Sequence, residues 1–198
     1  APQAPEVVRV LKERAAQMGC SFAQVDGGCL DAGTKQRQDR PRSYPGENVF
    51  SFFFLKGIRI SLPGTYQMEN GALALETALA LTKKGIAISE SDIRRGLSNV
   101  SWPGRFQMIK ASPAVIVDGA HNRDAALRLR ECVQTCLKGK RLIFIMGVFM
   151  DKEYALIVQT MAPLAEQIYT VWLPDRGRSL PPEVLAEEAG SGFSGNSP

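Results

Sequence analysis

The 198 residues carry a formal charge of +4 with a pI near 9.0, and 44% of them are hydrophobic, which is enough for a packed core. No apolar run approaches the roughly 18 residues of a membrane-spanning helix, the longest, residues 49–55, being strand-sized. This excludes a helical membrane protein, and no membrane partner is expected. The opening Ala1-Pro2-Gln3-Ala4-Pro5 has neither the basic start nor the apolar stretch of a signal peptide and lacks Met, as expected of a chain that begins inside a longer protein. The expected compartment is the cytoplasm, or the mitochondrion in a eukaryote. So mild a basic balance fits an anionic small molecule as well as nucleic acid. Its one basic run, residues 35–42, lacks a nucleic-acid motif and reads as a solvated loop, so no nucleic acid is expected. Cys20, Cys29, Cys132 and Cys136 with the single His121 show no C-x-x-C spacing, so neither a metal site nor a disulfide is expected. Cys132 and Cys136, four apart in a helical pattern, read as buried thiols on one face.

In chain order, residues 6–18 have apolar side chains at helical spacing and stop at Gly19. Residues 20–25 read as a short strand and residues 26–47, rich in Gly, Asp, Arg and Pro, as loop. Residues 49–55 and 58–62 read as a hairpin turning at Lys56-Gly57. A helix over 66–84, closed by Gly85, is so rich in Ala and Leu that burial on most sides is expected. Ser89 and Asp92 form a capping-box-like start for a helix ending near residue 98.

After Trp102-Pro103-Gly104-Arg105 the texture changes. Strands 106–110, 114–117, 141–146 and 167–172 alternate with helices 123–137, 153–161 and 181–189. The alternation predicts an α/β fold with a mostly parallel sheet covered by helices on both faces. Residues 191–198 read as disordered. Two domains are expected, 1–100 and 101–198, with no internal repeat.

Three segments carry chemistry. Asn70, at the start of the long helix, offers the paired donor and acceptor that match the N6/N7 edge of adenine, or else satisfies local backbone. Arg105 presents a fork of donors suited to phosphate oxygens, or else a salt bridge. The apolar run 114–117 delivers Asp118 to a strand end, where open α/β sheets bind ligands. A carboxylate there accepts ribose hydroxyls, or merely caps the next helix, whose N-terminus offers donors to an anion. His121 follows, able to hydrogen-bond a nucleotide or stabilise charge. No G-x-G-x-x-G and no G-x-x-x-x-G-K-[ST] is present, so both the dinucleotide fingerprint and the loop that cradles ATP phosphates are missing.

The order Tyr66-Gln67…Asn70, Trp102-Pro103-Gly104-Arg105, Asp118-Gly119-Ala120-His121-Asn122, Asp151-Lys152 resembles folylpolyglutamate synthase and dihydrofolate synthase, the folate branch of the Mur ligase superfamily. Gln3-Ala4-Pro5-Glu6-Val7-Val8 fits the same pattern, while Gly71 departs from the usual Ala. The resemblance covers roughly residues 1–190. It implies a Rossmann-like C-terminal ligase domain over 101–198, preceded at 1–100 by the tail of an α/β ATPase domain. Further implications are ATP-dependent addition of L-glutamate to a reduced folate through an acyl phosphate, with dihydropteroate as another acceptor, and a monomeric state. Asn70, Arg105 and Asp118 would contact ATP across the domain interface. His121 would bind ATP or take part in catalysis, and Lys152 would be either a ligand contact or a helix-start salt bridge. Magnesium would accompany ATP, its ligands and the activating lysine lying upstream of residue 1. The chain by itself is then expected to be inactive. The alternatives are a Mur-type peptide ligase and a non-catalytic nucleotide-binding module.

Overall fold

The computed structural model describes residues 3–25, 30–35, 47–52 and 55–190, and it divides into two compact units, Ala1–Pro103 and Gly104–Pro198. The tail 191–198 and most of the basic run, residues 36–42, lie outside the described residues. No described helix is long and apolar enough to cross a membrane.

In the first unit, α1 (Pro5–Gln17) has proline in its first turn. It closes on Gly19 at φ 64°, with Cys20 N donating to the Ala15 carbonyl at 2.8 Å, the bond pattern of a glycine-closed helix end. None of its residues is buried. Residues 20–25, expected as a strand, pair with nothing in a ladder and contribute only the buried Val25 to the core. The neighbouring sheet is antiparallel, in the order β1 (Leu30–Lys35), β2 (Glu47–Phe52), β3 (Leu55–Ile60). β1 lies inside the span expected to be loop. Its Asp31 and Gly33 are poor local strand formers, and what makes it a strand is pairing with β2 over six residues, a non-local effect.

The hairpin also turns elsewhere than expected. Phe52 pairs with Leu55 and Phe50 with Ile58, so the connection falls at residues 53–54, outside the described residues. Gly57 sits inside β3 at φ 65°. It supplies the extra residue of a bulge, and its N–H reaches Ser51 Oγ at 3.3 Å.

Phe50, Phe52, Leu55, Ile58 and Ile60 of the sheet pack with Met68, Ala72 and Leu75 of α2 (Tyr66–Lys83) and Ile93 of α3 (Glu90–Asn99). Contrary to expectation, α2 buries only one face of its first half. Gln67, Met68, Gly71, Ala72 and Leu75 are buried, whereas Leu73 is 42% exposed, because the sheet covers a single side. Asp92 N donates to Ser89 Oγ at 3.1 Å and Ser89 N to Asp92 Oδ2 at 3.0 Å, so the capping box forms at α3.

The second unit is α/β. Strands β4 (Gln107–Ala111) and β5 (Ala114–Val117) form an antiparallel hairpin; a two-residue link cannot make the crossover that parallel pairing needs. After α4 (Arg123–Cys136), β6 (Ile143–Met146) and β7 (Gln167–Thr170) pair in parallel through α5 (Tyr154–Met161), and α6 (Pro182–Ala189) follows. Ala126, Val148, Ile157, Val158, Leu180 and Leu185 form the core beneath this pair. Helices cover one face of β6 only. On the other face Ile143 and Ile145 are 59% and 73% exposed, a departure from the two-sided cover expected. Arg141 clamps Glu166 with two hydrogen bonds, one of 2.6 Å, tying the starts of the parallel strands together.

Candidate functional site

The four-residue run Ala114–Val117 ends β5 with Asp118 as the next residue. Asp118 Oδ2 accepts from Phe106 N at 2.8 Å and Oδ1 from Ala120 N at 2.9 Å. Gly119 N donates to the Gly104 carbonyl at 2.8 Å, and Gly104 N to Gln107 Oε1 at 3.0 Å. The carboxylate therefore staples the loop before β4 to the turn after β5. It does not cap α4. That task falls to Asn122, whose Oδ1 accepts from Ala125 N at 2.8 Å.

Arg105 lies on the stapled loop between two residues of positive φ, Gly104 at 70° and Phe106 at 44°. Glycine takes that conformation freely, but for phenylalanine it costs on the order of 1 kcal/mol or more and persists only when the surroundings impose it. Here they do: the Phe106 ring is 1% exposed and its N–H is held by Asp118. Arg105 itself is half-buried, and no carboxylate pairs with it among the described residues of its unit. His121 donates from Nδ1 to the Gly119 carbonyl at 2.8 Å, since a carbonyl can only accept. Each carboxylate oxygen of Asp118 accepts one backbone hydrogen bond and keeps a lone pair for a further donor.

Asn70 belongs to the other unit. It is exposed on α2, and its Nδ2 donates to Gln67 Oε1 at 3.0 Å, not to local backbone.

A second feature was only half legible in the sequence. Beyond the carboxyl ends of the parallel strands, Met150 N donates to the Arg178 carbonyl and Leu180 N to the Val148 carbonyl, both at 2.9 Å. A Cβ on Gly147 would stand 2.9 Å from both Leu173 Cδ2 and the Val171 carbonyl, so glycine is required where the two loops meet. On this bracket Lys152 Nζ lies 2.9 Å and Arg178 3.7 Å from Asp151 Oδ2, and Arg178 stacks 4.7 Å over the Phe149 ring. Lys152, chiefly, holds the exposed Asp151 carboxyl below its usual pKa. Thr170 Oγ1, at the end of β7, is buried without a hydrogen-bond partner among the described residues. Asp151-Lys152 was visible as a motif; Arg178 was not, because its pairing spans a separation that no local pattern records. Among the described residues, no group of three or more His, Cys, Asp and Glu side chains converges as a metal would require.

Residues 104–197 match the family described as Mur ligase, glutamate ligase domain. Within that family the resemblance is to folylpolyglutamate and dihydrofolate synthases, over most of the 198 residues. The chain is 29% identical over 170 residues to the dihydrofolate synthase/folylpolyglutamate synthase of Bacillus subtilis, a match covering 83% of this chain and 38% of that one. Escherichia coli FolC, solved in complex with ADP, is 28% identical with a TM-score of 0.74, covering 99% of this chain and 43% of that one. The folylpolyglutamate synthase of Mycobacterium tuberculosis, complexed with ADP and AMPPCP, shares the fold at a TM-score of 0.78 and 23% identity, over 98% of this chain and 44% of that one. The chain thus spans well under half the length of these relatives.

Proposed function

We propose that this chain is the nucleotide- and amino-acid-binding part of an ATP-dependent ligase that joins L-glutamate to a reduced folate. On this reading residues 1–100 are the tail of an ATPase domain and residues 101–198 a ligase domain. The observation that carries it is Arg105. A half-buried arginine without a carboxylate partner among the described residues of its unit, next to the Phe106 backbone that Asp118 holds at positive φ, is suited to receive an anion. Asp118, fixed by two backbone donors, has lone pairs left for ribose hydroxyls, and Asn70 has the edge that reads adenine. His121 offers Nε2 to the same nucleotide. The reaction has a folate carboxylate attack the γ-phosphorus of ATP, releasing ADP. The glutamate amine then attacks the acyl carbon, and phosphate leaves. Lys152 and Arg178 are the cationic groups beyond the parallel strands that this unit offers the carboxylates of an incoming dicarboxylate. Glutamate, the folate acceptor, a monomeric state and a cytoplasmic setting all belong to this proposal. Magnesium bound to ATP would neutralise phosphate charge.

The test requires the chain joined to the remaining length of the B. subtilis relative. Arg105→Ala is expected to lower kcat, since phosphate charge rearranges in the transition state. Asn70→Ala is expected mainly to raise the KM for ATP, because adenine is unchanged by the reaction. A charge-assisted hydrogen bond is worth about 1.5–3 kcal/mol against about 0.5–1.5 for a neutral one, so Arg105→Ala should be the more damaging. Arg105→Lys keeps the charge without the planar fork and should rescue in part. An intact kcat in Arg105→Ala with an abolished one in Asn70→Ala would overturn the assignment.

A further inference from the structure

The first turn of α2 contains a buried polar side chain that the reaction above does not use. Gln67 is 4% exposed and shares the buried face of α2 with Met68, Gly71, Ala72 and Leu75. An amide at such a position costs free energy unless it is hydrogen-bonded, and an aliphatic side chain would pack there more favourably. Its Oε1 accepts from Asn70 Nδ2 at 3.0 Å. The Gln67 backbone is held by the turn before the helix, and burial confines its side chain. Gln67 N donates to the Gly64 carbonyl at 3.0 Å. The same carbonyl accepts from Asn48 Nδ2 at 2.7 Å, and that amide also donates to the Leu62 carbonyl at 2.8 Å. Asn48 is 1% exposed in the core of the unit, and Ser61, at the start of the turn, donates through Oγ to the Val100 carbonyl. A continuous chain of hydrogen bonds thus runs from the buried strand β2 to the exposed Asn70.

We propose that Gln67 is a positioning residue that fixes which way the Asn70 amide faces, and that this fixing selects adenine over 6-oxopurines. The inference rests on the reading of Asn70 as the adenine contact. With one Nδ2 hydrogen committed to Gln67, Asn70 presents Oδ1 and its other N–H in a set order. Oδ1 accepts from the adenine N6 amine and the N–H donates to N7. In a 6-oxopurine both positions are acceptors, so Oδ1 meets O6 without a proton between them. Turning the amide over to donate to O6 requires the buried Gln67 amide to turn with it or the bond between them to break, and either cost is added to the discrimination. Without Gln67 the amide turns freely, and the 6-oxopurine is penalised less.

The test uses the chain joined to the remaining length of the B. subtilis relative and labelled with 15N, with ATP and ITP as probes. In the wild type the Asn70 side-chain amide is expected to be motionally restrained compared with the exposed Asn99, and to respond to ATP at lower concentration than to ITP. Gln67→Met, which keeps the shape but removes the acceptor, should release that restraint. It should also cut the ATP-over-ITP preference by on the order of 2–10-fold, the equivalent of one neutral hydrogen bond. Gln67→Glu retains an acceptor and should retain the preference, a rescue that a merely structural role would not give. An Asn70 amide as mobile as that of Asn99 in the wild type overturns the proposal without any variant. So does an unchanged preference in Gln67→Met. Equal response of Asn70 to ATP and ITP in the wild type, or no response to either, contradicts the adenine reading itself and takes the proposal with it.

Discussion

Asp118 shows how much one residue's role can be read locally and where local reading stops. Its place past an apolar run marked it as a strand-end carboxylate, and the structure puts it directly after β5. That it would hold Phe106 at φ 44° could not be read, because a positive φ at a phenylalanine has no local signature; it is imposed by partners twelve residues away. The thiols were legible from helical spacing. Cys132 is buried and Cys136 half-buried at the end of α4. Burial first, then Cys136 and Asp118 nearby, push the Cys132 thiol up to about 12. This has a consequence for alkaline stability. Between the ordinary thiol value near 9 and about 12, the unfolded chain has lost the proton while the folded chain still holds it. The stabilisation is therefore complete below pH 9 and is lost as pH rises, with a slope of up to about 1.4 kcal/mol per pH unit. Urea midpoints measured from pH 8 to 10.5 should fall, and Cys132→Ala, though less stable at pH 8, should fall less steeply. Parallel curves would mean that the thiol ionises as readily folded as unfolded.

At the scale of elements, helices were legible and strand partnerships were not. The capping box of α3 and the glycine-closed end of α1 are written within a few residues and appear in place. β1 and the bulge at Gly57 depend on β2, and periodicity says nothing about a partner. The two-sided cover expected for the sheet failed likewise, since an alternating pattern counts helices without saying where they pack. Gly71 is where local preference and packing conflict. Alanine would favour the helix by about 1 kcal/mol, but its Cβ would lie 3.1 Å from Phe50 Cζ and 3.3 Å from Ile60 Cδ1, and Phe50 is 1% exposed with little room to move. Gly71→Ala should therefore lower the denaturation midpoint. In a Phe50→Leu background, which withdraws the ring, the same change should raise it. Additive effects of the two substitutions would contradict the contact, because neighbours that clash must couple.

At the scale of the molecule, the chain comprises two units, and the family match falls on the second, at residues 104–197. The motifs of the first unit acquire meaning only with those of the second, since a lone Asn or a lone Arg is ordinary, whereas the ordered set is specific. The folate acceptor and the length of glutamate tail were not legible, because no motif read in the sequence bears on them. Positioning and electrostatic stabilisation do most of the work of phosphoryl transfer, through phosphate-cradling amides, a lysine and magnesium. The sequence contains no such loop. The direct measurement is transfer of labelled glutamate to a reduced folate in the presence of ATP, by the 198-residue chain and by the same chain joined to the remaining length of the B. subtilis relative. The account predicts no transfer by the chain alone, and by the joined protein one ADP released for each glutamate attached. Transfer by the chain alone, or a folded joined protein that hydrolyses ATP but attaches no glutamate, would contradict it.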